Sequence, residues 1–127
     1  MKKKKINALF VSDDENLNPI FYEDDELDPD IIFEVINHFD IVLDFLQLFK
    51  VDAVILTNLG LLPGEMPRVI KSIRADFPEI PIIILCSYDK PEFISELAEC
   101  GADTFFKIPF DLDLLFKRIK ELVLTKN

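Results

Sequence analysis

The chain has 127 residues, the length of one ordinary domain. Half of them are hydrophobic and 30% charged, so one core can bury roughly two thirds of the unfolded surface with no staple. The cysteines, Cys86 and Cys100, are too few for a disulfide framework. No apolar run approaches the ~18 residues of a membrane-spanning helix, and the lysines at 2–5 lead into a short run interrupted by polar residues, unlike a signal peptide. A soluble cytoplasmic protein is expected.

The net charge of −10 is unevenly spread: residues 1–5 carry +4, residues 6–50 carry −11 and residues 51–127 carry −3. Nucleic-acid affinity comes largely from Lys and Arg neutralising phosphates, so this field disfavours DNA and RNA. A protein partner with a basic patch fits better.

Residues 6–12 form a short apolar run that ends on the acidic turn Asp13-Asp14-Glu15 and reads as a buried strand opening onto a loop. Asn18-Pro19 offers a helix cap with proline at the first helical position. Leu17, Ile20, Phe21 and Leu27 give this first helix one apolar face, and the acidic run at 23–30 limits it to a short length. Residues 31–36 are rich in branched side chains and predict a second strand. Val42, Leu43, Leu46 and Phe49 then predict an amphipathic helix over 39–50.

A third strand is expected at 53–56, followed by a Gly- and Pro-punctuated loop and a helix over 68–76. A fourth strand follows at 80–85. Pro91 opens a helix that runs to Cys100, where Gly101 supplies a left-handed cap. A fifth strand at 104–108 leads into a C-terminal helix with Leu112, Leu115, Phe116, Ile119 and Val123 on its apolar face. Strands apolar on both faces, alternating with helices, indicate an α/β domain whose parallel sheet is covered on each side. Ligand sites in such sheets lie beyond the carboxyl ends of the strands, here Ser12-Asp13-Asp14, Thr57-Asn58, Cys86-Ser87 and Lys107-Ile108.

The order of motifs at these ends resembles a response-regulator receiver domain of the CheY-like kind over essentially the whole chain. Val11-Ser12-Asp13-Asp14-Glu15 resembles its acidic turn, and Asp52-Ala53-Val54-Ile55-Leu56 resembles the strand leading to the phosphoacceptor. Pro63-Gly64, Pro81-Ile82-Ile83-Ile84-Leu85, Gly101-Ala102-Asp103 and Pro109-Phe110-Asp111 complete the pattern. The resemblance implies a flavodoxin-like (βα)5 fold, a single receiver-like domain over 1–127 with sheet order 2-1-3-4-5, and a role in two-component phosphorelay signalling.

In that family an aspartate after strand 3 takes a phosphoryl group from a histidine kinase, the acidic turn holds magnesium, and a hydroxyl and a lysine bind the phosphoryl oxygens. Carried over, the acceptor position falls on Thr57, or on Asn58 with one inserted residue, and neither is a carboxylate. The hydroxyl position falls on Cys86, beside Ser87, and the lysine position falls on Ile108; Lys107 should point to the opposite face. Ser12 replaces one acid of the pair, which leaves Asp13, with Asp14 beside it, for weak magnesium binding at most. A threonine hydroxyl without a general base is a poor nucleophile. The resemblance therefore implies a pseudo-receiver: no enzyme, no required cofactor, and no ordinary aspartyl phosphorylation.

Phe105 matches the family's aromatic switch and is otherwise plain core. By resemblance the partner surface is the face of the fourth and fifth predicted helices and the fifth strand, around Tyr88, Lys90, Glu96, Phe105 and Lys117. That face would engage a histidine kinase, an output protein or a second copy. Cys86 has no basic sequence neighbour, which favours a structural thiol over a redox sensor. His38 lacks evident partners for catalysis or metal binding. The acidic run at 23–30 either docks a basic partner or is a solvated loop. Two other readings compete: an atypical receiver phosphorylated at a displaced residue, and a small-molecule regulatory module at the same strand ends, although no glycine-rich phosphate loop is present.

Overall fold

The protein is described by a computed structural model covering residues 5–12, 28–57, 65–87, 90–108 and 110–125. In chain order these form β1 (Ile6–Val11), β2 (Ile31–Ile36), a 3-10 turn (Phe39–Ile41), α1 (Val42–Leu48), β3 (Ala53–Thr57), α2 (Glu65–Asp76), β4 (Ile82–Cys86), α3 (Pro91–Cys100), β5 (Thr104–Lys107) and α4 (Leu112–Thr125). The first predicted helix falls outside the described residues.

The strands pair in parallel in the order β2-β1-β3-β4-β5, as expected. The register sets Ala8 beside Ala53, Val54 beside Ile82 and Ile83 beside Thr104. β3 and β4 are buried along their whole length, which is why their sequences are continuous apolar runs rather than alternating ones. Successive side chains point to opposite faces, and the core divides accordingly. Phe10, Ile55, Ile83 and Leu85 pack with Leu115, Phe116 and Ile119 of α4 on one face. Leu9, Val54, Leu56 and Ile84 pack with Leu46, Ile70, Ile73 and Leu97 of the other helices on the second.

Several predicted boundaries move, for local reasons. The helix expected over 39–50 opens with the 3-10 turn and ends at Leu48, because Phe49 turns extended while its N–H still reaches the Phe45 carbonyl at 2.9 Å. α2 begins at Glu65, ahead of the expected residue 68, since Pro67 is tolerated in a first turn whose N–H groups have no intrahelical acceptor. β4 starts at Ile82 because the Ile80 N–H donates back to the Phe77 carbonyl and Pro81 has no donor. Both β3 and β4 extend one residue further than expected, to Thr57 and Cys86. β5 stops at Lys107, short of Ile108, whose N–H donates to the Cys86 carbonyl at 2.7 Å. Gly101 closes α3 at φ 123°, the positive φ expected of that cap.

Candidate functional site

The order of strands reverses between β1 and β3, so their carboxyl ends flank the crevice in which open parallel sheets hold ligands. Val11 pairs with Leu56, which sets the next residues, Ser12 and Thr57, side by side at the tip of the sheet. Both are fully buried and are the buried polar residues among those described. The Ser12 N–H donates to the Ile36 carbonyl at 3.0 Å. Strand alternation turns the Ser12 and Thr57 side chains toward the α4 face, where Ile108 also packs.

Cys86 belongs to the opposite face, beside a cluster that includes the half-buried Phe105. Its thiol is pushed up to about 11 by burial, so it is a neutral thiol at physiological pH. Lys107 is exposed, on the face opposite Ile108, as strand alternation predicts. At these strand ends Thr57 offers a buried hydroxyl and Ile108 an alkyl group on one face, and Cys86 a protonated thiol on the other, and none of the three is a cation that could pair with a phosphoryl oxygen.

Asp13, Asp14, Asn58 and Tyr88 lie outside the described residues. Lys90, Glu96 and Lys117 are exposed, on the N-cap of α3, on α3 itself and on α4. His38 is exposed and precedes the 3-10 turn without a side-chain capping bond. Of the acidic run, residues 23–27 lie outside the described residues, while Asp28 and Asp30 are paired with Lys120 of α4, at 3.0 and 3.3 Å.

The sequence reading did not anticipate two polar clusters at the amino ends of the strands. Arg74 donates to the carbonyls of Pro78, Ile80 and Gly101 and to Asp103, and Asp103 also accepts the Ile82 N–H at 2.8 Å. Asn7 and Asp52 exchange bonds, Asn7 N–H to Asp52 Oδ2 at 2.8 Å and Asp52 N–H to the Asn7 carbonyl at 2.7 Å. Both hold loops together on the end of the sheet away from the crevice. A basic residue in the last turn of a helix, just before a proline, was the available sign of the first cluster.

No protein-family model matches the chain. A stretch of 60 residues, 46% of the chain, is 35% identical to a cyclic di-GMP phosphodiesterase of Thermotoga maritima and spans only 16% of that protein. Among solved structures, the receiver domain of a Francisella response regulator superposes with a TM-score of 0.82 at 22% identity, over 97% of this chain and 100% of that one. A CheY-like response regulator receiver domain protein from Methanospirillum hungatei gives 0.83 at 17% identity, over 97% of each chain. A putative pilus assembly-related protein from Burkholderia pseudomallei gives 0.77 at 15% identity, over 94% of this chain and 90% of that one. The chain has the flavodoxin-like fold of CheY-like receiver domains.

Proposed function

We propose that this chain is a receiver-like module of two-component signalling that works through protein contacts and not through aspartyl phosphorylation. The observation that carries the reading is Thr57, fully buried at the tip of β3, where the family resemblance puts the acceptor carboxylate. The positions that would steady a phosphoryl group are Cys86 and Ile108, neither of which supplies a hydroxyl or a cation. Losing one preorganised electrostatic contact costs about 2.7–4 kcal/mol of transition-state stabilisation, and here the nucleophile and two of its supports are replaced together. The module needs no cofactor and catalyses no reaction of its own. Its partner face runs over α3, β5 and α4 through Lys90, Glu96, Phe105 and Lys117, with Tyr88 assigned to it from sequence.

Intact-protein mass spectrometry after incubation with magnesium and a small phosphodonor tests the first half of this reading. The wild type stays unlabelled, whereas the double variant Thr57→Asp, Ile108→Lys gains one phosphoryl group. A labelled wild type would falsify it. Phe105→Ala with Lys117→Glu reduces capture of a partner or self-association, and unchanged capture removes this face from consideration.

A further inference from the structure

Away from that face, at the opposite edge of the sheet, the short helix α1 leaves apolar surface uncovered. Leu48 is 77% exposed, Phe49 57%, Ile41 42% and Ile32 41%. Ile41, Phe45 and Leu48 recur at four- and three-residue spacing along the turn and helix, so they form one stripe, exposed at Ile41 and Leu48 and half-buried at Phe45, which packs against the core. Where the chain turns extended at Phe49, a cavity of about 350 Å³ lies between this end of the helix and the sheet, lined by Ala8, Leu9, Phe45, Phe49 and Val51 with Glu34 and Lys50 as its charged residues. The Phe45 and Phe49 rings lie 4.6 Å apart, centre to centre, at its wall. That volume falls at the lower end of the range of ligand-holding pockets, enough for an anchoring side chain.

We propose that this edge is a second docking surface, and that its occupant is a basic peptide segment of another protein that seats an apolar side chain in the cavity. The charge around the stripe decides the class of occupant. Asp44 sits within the stripe, and Asp40 and Glu34 flank it, all exposed. Lys50, also exposed, lines the cavity, so these three acids face one cation. Nucleic acid and anionic membrane surfaces are repelled by such a field, while Lys and Arg side chains are drawn to it. A cation can also lie against the Phe45 and Phe49 faces. Apolar anchors in a pocket ringed by complementary charge are the common arrangement of a helix or peptide in a groove. This surface is independent of the phosphorylation chemistry and of the α3-β5-α4 face.

The probe is a fluorescein-labelled synthetic amphipathic peptide of leucines and lysines, with a counterpart carrying glutamate at every lysine position. Anisotropy titrations are run on the intact chain, and amide chemical shifts map the contact. The lysine peptide binds at least about tenfold more tightly than the glutamate peptide. Its shifts gather on Ile32, Glu34 and residues 41–49, and Leu48→Ala with Phe49→Ala weakens it about tenfold. Both side chains are largely exposed, so these variants keep the dispersed spectrum of the fold; Asp44→Lys, which removes no apolar contact, weakens binding independently. Absence of binding, equal binding of the two peptides, shifts gathered on the other edge, or indifference to all three substitutions overturns the proposal. So does a sedimenting dimer that Leu48→Ala and Phe49→Ala dissociate, since the occupant is then a second copy.

Discussion

Arg74 Nη2 lies 2.6 Å from the carbonyl oxygen of Gly101, and a Cβ placed on Gly101 would come within 2.9 Å of Arg74 Nε. The guanidinium and the glycine thus share one space. Arg74 needs the close approach that a residue without a side chain permits, and Gly101 needs φ 123° to turn its carbonyl there. Arg74→Ala strands the carbonyls of Ile80 and Gly101 and removes the Asp103 ion pair, whose side chains are about one quarter exposed. The expected loss is about 2–3 kcal/mol in urea unfolding. Gly101→Ala costs about 1–3 kcal/mol through its backbone conformation, plus the clash. In the Arg74→Ala background the clash disappears, so the double variant is less destabilised than the two losses added together. Strict additivity would show that the two residues are not coupled.

Asn7 and Asp52 form a reciprocal pair across 45 residues of sequence. The carboxylate holds the start of β1 to the residue before β3. Asp52→Ala removes the acceptor of a partly buried amide and costs about 1–2 kcal/mol, while Asp52→Asn keeps an acceptor oxygen and costs less. Hydrogen exchange reads the difference locally: the Asn7 amide exchanges faster in Asp52→Ala than in Asp52→Asn, with the central strand β4 unchanged. Equal exchange in both would contradict the assignment.

Lys120 ties α4 to the turn that enters β2. Its pKa is raised above the ordinary lysine value, chiefly by the bond to Asp28, with Asp30 adding to it and desolvation opposing. The charged form is favoured in the folded state, so the contribution is complete below the unfolded lysine value of about 10.4 and is lost as pH rises through the higher folded value. The ammonium is partly exposed, and the pair is worth about 0.2–1 kcal/mol after solvent screening. Lys120→Met should be less stable than wild type by a constant amount from neutral pH to about 9, with the gap closing in stronger alkali and in high salt. A gap that widens with pH would reverse the sign of this interaction.

The sheet was legible because burial writes itself into the central strands: residues 53–57 and 82–86 have few polar interruptions, and a strand covered on both faces can tolerate few. The placement of Lys107 and Ile108 on opposite faces followed from strand alternation alone. Helix ends were harder. Where α1 stops depends on Phe49 leaving the helical conformation to meet Phe45, a choice made by packing and invisible to periodicity, and the groove beside it follows from that choice. The clamps of Arg74 and Lys120 were not legible, because their acceptors are carbonyls and carboxylates brought near by the fold across distant sequence. The reading of Thr57 at the acceptor position rests on family resemblance alone; the structure adds that this residue is buried.

Cys86 and Cys100 are the free thiols, and their surroundings set them apart. Cys86 is 2% exposed at the end of β4, and burial pushes its thiol up to about 11; Cys100, at the last turn of α3, is half-buried. The thiolate is the reactive form, so a thiol reagent at neutral pH modifies Cys100 first and leaves Cys86 untouched until the protein unfolds. The linkage has a definite sign. Between the ordinary thiol value and about 11 the unfolded chain has released the Cys86 proton and the native protein has not, so stability falls as pH rises through that window. Cys86→Ala removes this slope while costing a small cavity, whereas Cys100→Ala keeps it. Peptide mapping after brief alkylation, set beside urea unfolding from pH 8 to 11, checks both statements, and native labelling of Cys86 ahead of Cys100 would rule out the buried, protonated thiol.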